Sequence, residues 1–229
     1  MKFAPMVLFA LVPLLFSACG DEGGSGGSGG GAAAAHPCAD GKFLDERDGT
    51  TYKCVQVQEG FWMAENLNFE TQKGSGCYGD SAANCDAYGR LYTWSAATSC
   101  DGAVAPCDAS GNARGACPAG WHLPSRDELR ALAVEFGGED WAGSILKSED
   151  GWDNDGGGAD YHGFTALPAG YFDGPELVKK GAGTAFWSAT ESSGNADKAY
   201  GLRMSAADDK TPVAAFDKFS KLSVRCVQD

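Results

Sequence analysis

Eight cysteines, Cys38, Cys54, Cys77, Cys85, Cys100, Cys107, Cys117 and Cys226, follow an export signal, and this restricts the chain to folds stapled by sulfur as well as packed. The signal is read from Lys2, the apolar run from Phe3 to Phe16 and the small pair Ser17-Ala18 directly before Cys19. A run of that length is too short to cross a bilayer as a stable helix, and small residues before a cysteine suit a lipoprotein signal peptidase. Residues 1–18 are therefore expected to be removed, leaving Cys19 lipidated at the head of the mature chain. An even number of remaining cysteines in an oxidising compartment is expected to form disulfides. Spacing alone does not choose among the pairings. Loop entropy favours the short closures Cys77 with Cys85 and Cys100 with Cys107; Cys38 with Cys54 and the long-range pair Cys117 with Cys226 complete the expected set. Zinc is a poor alternative, because no Cys-x-x-Cys pair occurs and His36, His122 and His162 sit at no ligand spacing.

Charge narrows the partners. The chain carries 18 basic and 31 acidic residues, a net charge of −13. Such a surface repels phosphate backbones, so nucleic acid is excluded as an expected partner. Residues 19–37 are almost entirely small and polar and cannot bury enough surface to offset ordering entropy, so they are expected to form a lipidated flexible linker. The membrane is thus a partner through the lipid anchor. Gly20 after Cys19 supplies no aspartate retention signal, which points to an outer-membrane lipoprotein facing the surface or the periplasm. Residues 38–229 are expected to form the folded domain.

Strand signals dominate that domain. Tyr52 to Val57 and Phe61 to Ala64 are β-prone runs flanking Gln58-Glu59-Gly60, a hairpin pattern. Further strands are predicted over Phe164 to Phe172, Ala185 to Ala189, Ala199 to Met204, Val213 to Phe216 and Leu222 to Val227. One helix is signalled strongly: Ser125-Arg-Asp-Glu128 is a capping box, and Leu129, Leu132, Ala133 and Phe136 follow at the spacing of one buried stripe, with Gly137 placed to end it. Shorter helices are predicted near Trp141 to Lys147 and Trp94 to Ala97. The segment from Ser148 to His162 is glycine-rich and acidic, and is expected to be irregular.

Six blocks occur in order: Trp62-Met-Ala-Glu-Asn-Leu67, Tyr88-Gly-Arg-Leu-Tyr-Thr-Trp94, Cys117-Pro-Ala-Gly-Trp-His-Leu-Pro-Ser-Arg-Asp-Glu-Leu129, Gly163-Phe-Thr-Ala-Leu-Pro-Ala-Gly170, Phe186-Trp-Ser-Ala-Thr-Glu191 and Ser223-Val-Arg-Cys-Val227. Together they resemble the Fibrobacter succinogenes major paralogous domain, a family made largely of lipoproteins and secreted proteins. The Leu123-Pro-Ser125 helix start and the closing Ser223-Val-Arg-Cys226 segment are more distantly similar to the formylglycine-generating-enzyme family. That likeness implies an α+β, C-type-lectin-like mixed domain of short twisted antiparallel strands, with two or three helices and long disulfide-stapled loops. It does not carry over the oxidase chemistry, which uses a pair of reactive cysteines near the domain end, where this chain has only Cys226.

Two constellations carry binding chemistry. Asp153, Asn154, Asp155 and Asp160, in the glycine-rich loop, offer the oxygens that a calcium ion takes at flexible geometry, and form a candidate metal site. The same residue types also make ordinary turns. Trp152 and Tyr161, in that polar loop, are the expected exposed aromatics for a ligand such as a sugar ring, whereas Trp62, Trp94, Trp121 and Trp187 are expected in the core. Glu128 is accounted for by the capping box, and His122 between Trp121 and Leu123 reads as a half-buried hydrogen-bonding residue. No Ser, His and Asp arrangement marks a nucleophile. The chain is therefore expected to be a non-catalytic binding or adhesion module displayed at the bacterial surface, with polysaccharide or an envelope protein as partner. The alternatives are an enzyme related to the formylglycine-generating fold and a purely structural envelope component.

Overall fold

The computed structural model describes Cys38, residues 40–99 and residues 114–229. Cys19, Cys100 and Cys107 lie outside the described residues, as do the expected signal segment and linker. In chain order the first elements are β1 (Lys42–Asp45), β2 (Thr50–Val57), β3 (Gly60–Met63), β4 (Ser75–Gly76), α1 (Ala82–Tyr88), β5 (Leu91–Tyr92), α2 (Trp94–Thr98) and β6 (Trp121–His122). There follow α3 (Arg126–Glu135), α4 (Gly143–Leu146), β7 (Tyr171–Asp173), β8 (Glu176–Val178), β9 (Gly183–Glu191), β10 (Lys198–Ser205), β11 (Val213–Asp217) and β12 (Val227–Gln228).

Local chemistry explains why these segments form. The β2 to β3 hairpin turns through Gln58 at φ 55°, and Val55 faces Trp62 across it. The α3 capping box is complete: Ser125 Oγ accepts from the Glu128 amide at 3.2 Å, while Glu128 Oε2 accepts from the Ser125 amide at 2.7 Å. Gly137 and Gly138, both at positive φ, carry the chain out of the helix, and the Gly138 amide returns to the Ala133 carbonyl.

All strand pairs within the named sheets are antiparallel. The five-stranded sheet runs β1-β2-β3-β12-β6, so the C-terminal strand returns to lie beside the first hairpin. A three-stranded sheet runs β11-β10-β9, and two ribbons pair β4 with β5 and β7 with β8. β9 is buried on both faces through Ala189, because successive side chains enter two different cores. Trp187 joins a core with Tyr92, Trp121, Met63 and Val224, while Phe186 joins one with Trp62, Phe164 and the α3 stripe Leu129, Leu132, Ala133 and Phe136.

Three disulfides join Cys38 to Cys54, Cys77 to Cys85 and Cys117 to Cys226, the pairs expected for these cysteines. Among the described residues no helix is long and apolar enough to cross a membrane.

Several elements differ from the sequence reading, among them the strand expected over Leu222 to Val227, which makes isolated bridges at Leu222 and Ser223 and becomes a strand only at Val227–Gln228. Residues 164–170 are not a strand: Thr165 and Gly170 sit at positive φ, Pro168 lacks an amide proton, and the segment is held by single backbone bonds to Leu146, Ser148, Gly181 and Gly183 and by Arg225 rather than by a ladder. Helix α1, which starts within the Cys77 to Cys85 closure and runs past it, has no apolar stripe to announce it, Cys85 being its one buried residue.

The interior is organised around Arg225, which has no exposed surface. Its Nε donates to Asn66 Oδ1 at 2.7 Å, its Nη1 to the carbonyls of Met63 at 3.0 Å and Phe164 at 2.5 Å, and its Nη2 to the Thr165 carbonyl at 2.7 Å. The guanidinium also lies 4.7 Å from the Phe164 ring centre. Burial lowers its pKa to about 9, so it is still charged at neutral pH. A planar fork of five donors suits this task, since it satisfies backbone oxygens that the irregular 164–165 segment leaves without ladder partners.

Candidate functional site: a groove beside α3

An opening of about 540 Å3 lies between the β2 to β3 turn and α3, and this is within the size range of small-ligand sites. Trp62, Val57, Leu132 and Val227 give it apolar walls, and Glu59 and Glu128 bring carboxylates to it. The turn is tied to the helix by Gln58 Nε2, which donates to Glu135 Oε2 at 2.6 Å.

Behind Glu128 sits His122, the residue of β6 that pairs with Val227. Its Nε2 meets Glu128 Oε1 at 2.9 Å and its Nδ1 meets Asp229 Oδ1 at 2.7 Å. The hydrogen bond that the ring donates to Glu128, joined by that to Asp229, holds the imidazole above its ordinary value against the opposing effect of burial. For Glu128, burial pushes the pKa up, but His122 and the Ser125 amide and hydroxyl outweigh it and leave the carboxyl below its ordinary value. With a carboxylate oxygen at each ring nitrogen, the geometry suits an imidazolium that donates from both. An imidazolium whose two protons are engaged does not serve as a base, and an ionised Glu128 does not serve as an acid. What the pair offers a ligand is a fixed acceptor.

This network has a pH signature. A histidine with a raised folded pKa contributes its full stability below its unfolded value, near 6.5, and loses it as pH rises through the folded value. Glu128, lowered from 4.5, contributes above that value and loses its share as pH falls through the folded one. The network is therefore at full strength between 4.5 and 6.5. The melting-temperature gap between wild type and His122→Gln is expected to be largest at about pH 5.5 and to shrink by about pH 9. A gap independent of pH would contradict the assignment.

Exposed aromatics sit beyond the C-terminal end of the same helix. Trp141 is 66 % exposed and Tyr161 81 % exposed. The His162 ring lies 4.8 Å from that of Phe136, and the Ala159 amide donates to the Ser144 carbonyl, so the 141–144 and 159–162 segments adjoin. Tyr161 is thus placed at the surface as expected. Trp152 is corrected: it is 7 % exposed, its indole donates to Ser148 Oγ at 3.1 Å, and its ring packs in the α3-side core. An available hydroxyl partner lets a loop tryptophan bury itself. Trp141, which the sequence reading left inside a short helix, is the exposed tryptophan instead; its polar approach, Gly138-Glu-Asp140, is the signal that marks it.

The four candidate calcium ligands are not gathered into a shell. Asp153, Asn154 and Asp155 form an exposed 3-10 turn. Asp160 spends both oxygens on Thr165, accepting from its amide at 2.7 Å and its hydroxyl at 2.6 Å. Among the described residues no group of three or more His, Cys, Asp or Glu side chains is placed to hold a metal ion. Gly156, Gly157 and Gly158 pass so close to the backbones of Ala206, Glu149 and Gly143 that a Cβ would clash, which accounts for the glycine run by packing.

The Trp62, Ser223 and Gly163 blocks meet at Arg225, and two further blocks meet where Trp187 Nε1 donates to the Tyr92 carbonyl and Trp94 Nε1 to the Ser188 carbonyl. The model of the Fibrobacter succinogenes major domain matches residues 55–228, and the chain belongs to that family. No curated protein and no solved structure matches the chain.

Proposed function

We propose that this protein is a lipid-anchored surface module that binds polysaccharide through the α3 groove and the exposed aromatics beside it, without acting on the chain it binds. The observation that carries the reading is the juxtaposition, along one helix, of an apolar groove holding carboxylates and a pair of exposed aromatic side chains. Sugar rings present apolar faces that stack on aromatic planes, and hydroxyls that donate to fixed carboxylates. Engagement of both His122 nitrogens and of Glu128 favours binding over proton transfer. A C-type-lectin-like character is part of this proposal, supported by the return of β12 to the first hairpin and by the long loops beside the short strands. Anchoring through Cys19 at the outer membrane is part of it as well, supported by the signal layout and Gly20.

The test is retention of the purified, oxidised domain on a panel of insoluble polysaccharides. At least one should retain it saturably, and the Trp141→Ala, Tyr161→Ala double variant should bind at least about tenfold more weakly, the loss expected from one or two stacking contacts. No retention on any polysaccharide, or unchanged retention of a folded double variant, would overturn the reading.

A further inference from the structure

A second pocket, of about 360 Å3, opens beside β10, walled by Tyr171, Val178 and Met204 and carrying the charged side chains of Arg203, Lys210 and Asp208. Its electrostatic sign is the reverse of the chain's. Arg203 and Lys210 are exposed, and among the described residues neither has a carboxylate within ion-pair distance. Asp208 is partly spent on its own loop, its Oδ1 accepting the Lys210 amide at 3.1 Å. Two cations against one engaged carboxylate leave the wall with one surplus cation; Arg203 is hydrogen-bonded to Tyr171, on which Asp173 and Glu176 also act.

That wall is held in place before any ligand arrives. The buried Lys147 ammonium donates to the carbonyls of Ser205 at 3.4 Å and Asp208 at 3.1 Å, and pairs with Asp209 at 3.1 Å. The Ala206 amide donates to Ala182, and the Thr211 amide to Glu139 at 2.6 Å, so the loop is pinned at both ends. Tyr171 supplies a phenol that burial keeps above its ordinary pKa, with Arg203 pulling the other way, so its proton is available to donate. A loop backbone fixed in advance loses less freedom on binding than a mobile one.

We infer that this pocket binds the oxyanion group, carboxylate or phosphate, of a small ligand about the size of one sugar ring, with Arg203 and Lys210 as charge partners and the Tyr171 hydroxyl as a further donor. Arg203 offers a fork that matches two oxygens of such a group, and Lys210 a point charge. The chain's net charge of −13 disfavours long polyanions, which selects for a single charged unit.

Calorimetric titration of the oxidised domain with glucuronate, inorganic phosphate and glucose tests this. Saturable binding of glucuronate or phosphate is expected, weakened at least about tenfold in Arg203→Gln and in Lys210→Gln and by raising salt from about 50 to about 500 mM, with glucose silent. Which of the two anions binds more tightly separates a carboxylate ligand from a phosphate one. Both replaced side chains are exposed, so melting temperatures should stay unchanged and report that the variants fold. The Trp141→Ala, Tyr161→Ala variant should bind the anion normally, so this inference stands or falls apart from the polysaccharide reading. Absence of saturable binding by either anion, or binding indifferent to both substitutions, would overturn it.

Discussion

Replacing Arg225 with methionine is expected to destabilise the domain by about 4 kcal/mol or more, and to leave little folded protein at 37 °C. The substitution keeps roughly the side-chain length but strips donors from three backbone carbonyls and the Asn66 amide oxygen in the interior. Each buried acceptor left without a partner costs about 1–3 kcal/mol, and losses above about 4 kcal/mol are uncommon for single substitutions. Arg225→Lys should rescue little, because a point charge on a flexible stem cannot replace a planar fork that reaches four acceptors. Urea denaturation of the oxidised domain checks this, and a loss below about 1 kcal/mol for either variant would show that Arg225 does not organise the core.

The second large effect is expected at the Cys117 to Cys226 bridge. It closes a loop of 109 residues, against 8 for Cys77 to Cys85. Chain entropy then assigns about 4.8 kcal/mol to the long bridge and about 2.5 kcal/mol to the short one. Both sulfur-bearing residues of the long bridge are also fully buried, so alanine at the two sites adds a packing loss to the entropic one. For a domain of this size each kcal/mol shifts the melting temperature by about 2–4 °C, so Cys117→Ala, Cys226→Ala should melt roughly 10 °C or more below wild type. The Cys77→Ala, Cys85→Ala pair should fall by clearly less. The reverse order would mean that the long bridge does not hold the segment before β6 to the segment before β12.

Local signals were the legible part of this fold. The α3 capping box, the hairpin through Gln58-Glu59-Gly60 and the strands β10 and β11 appear where turn chemistry and periodicity put them, because each is specified within about ten residues of sequence. What stayed hidden was decided by partners distant in the chain. Residues 164–170 read as a strand by composition, but the Phe164 and Thr165 carbonyls are claimed by Arg225, about 60 positions away, and those of Ala166 and Pro168 by the amides of Ser148 and Gly181. Trp152 read as exposed because its neighbours are polar, yet Ser148 and the α3-side core take it in. His122 and Glu128 were each legible as hydrogen-bonding residues, but their union with Asp229 required the sheet order that brings β12 beside β6.

The same distinction locates function. The blocks that carry the family resemblance are spent mainly on Arg225, on tryptophan-to-carbonyl bonds and on the capping box, and they also lend Trp62, Glu128 and Val227 to the groove. Glu59, Trp141 and Tyr161 lie outside those blocks and at the surface, where ligand choice can vary without unfolding the protein.

The most direct test of the groove as a binding site is a backbone and indole amide NMR titration of the 15N-labelled, oxidised domain with a soluble oligosaccharide of the polysaccharide that retains it. The account predicts saturable shift changes concentrated at Glu59, Gly60, Ala131 and the indole signals of Trp62 and Trp141, with the Trp94 and Trp187 indoles unmoved. Saturable changes confined to other faces of the domain, or none at millimolar sugar, would contradict it.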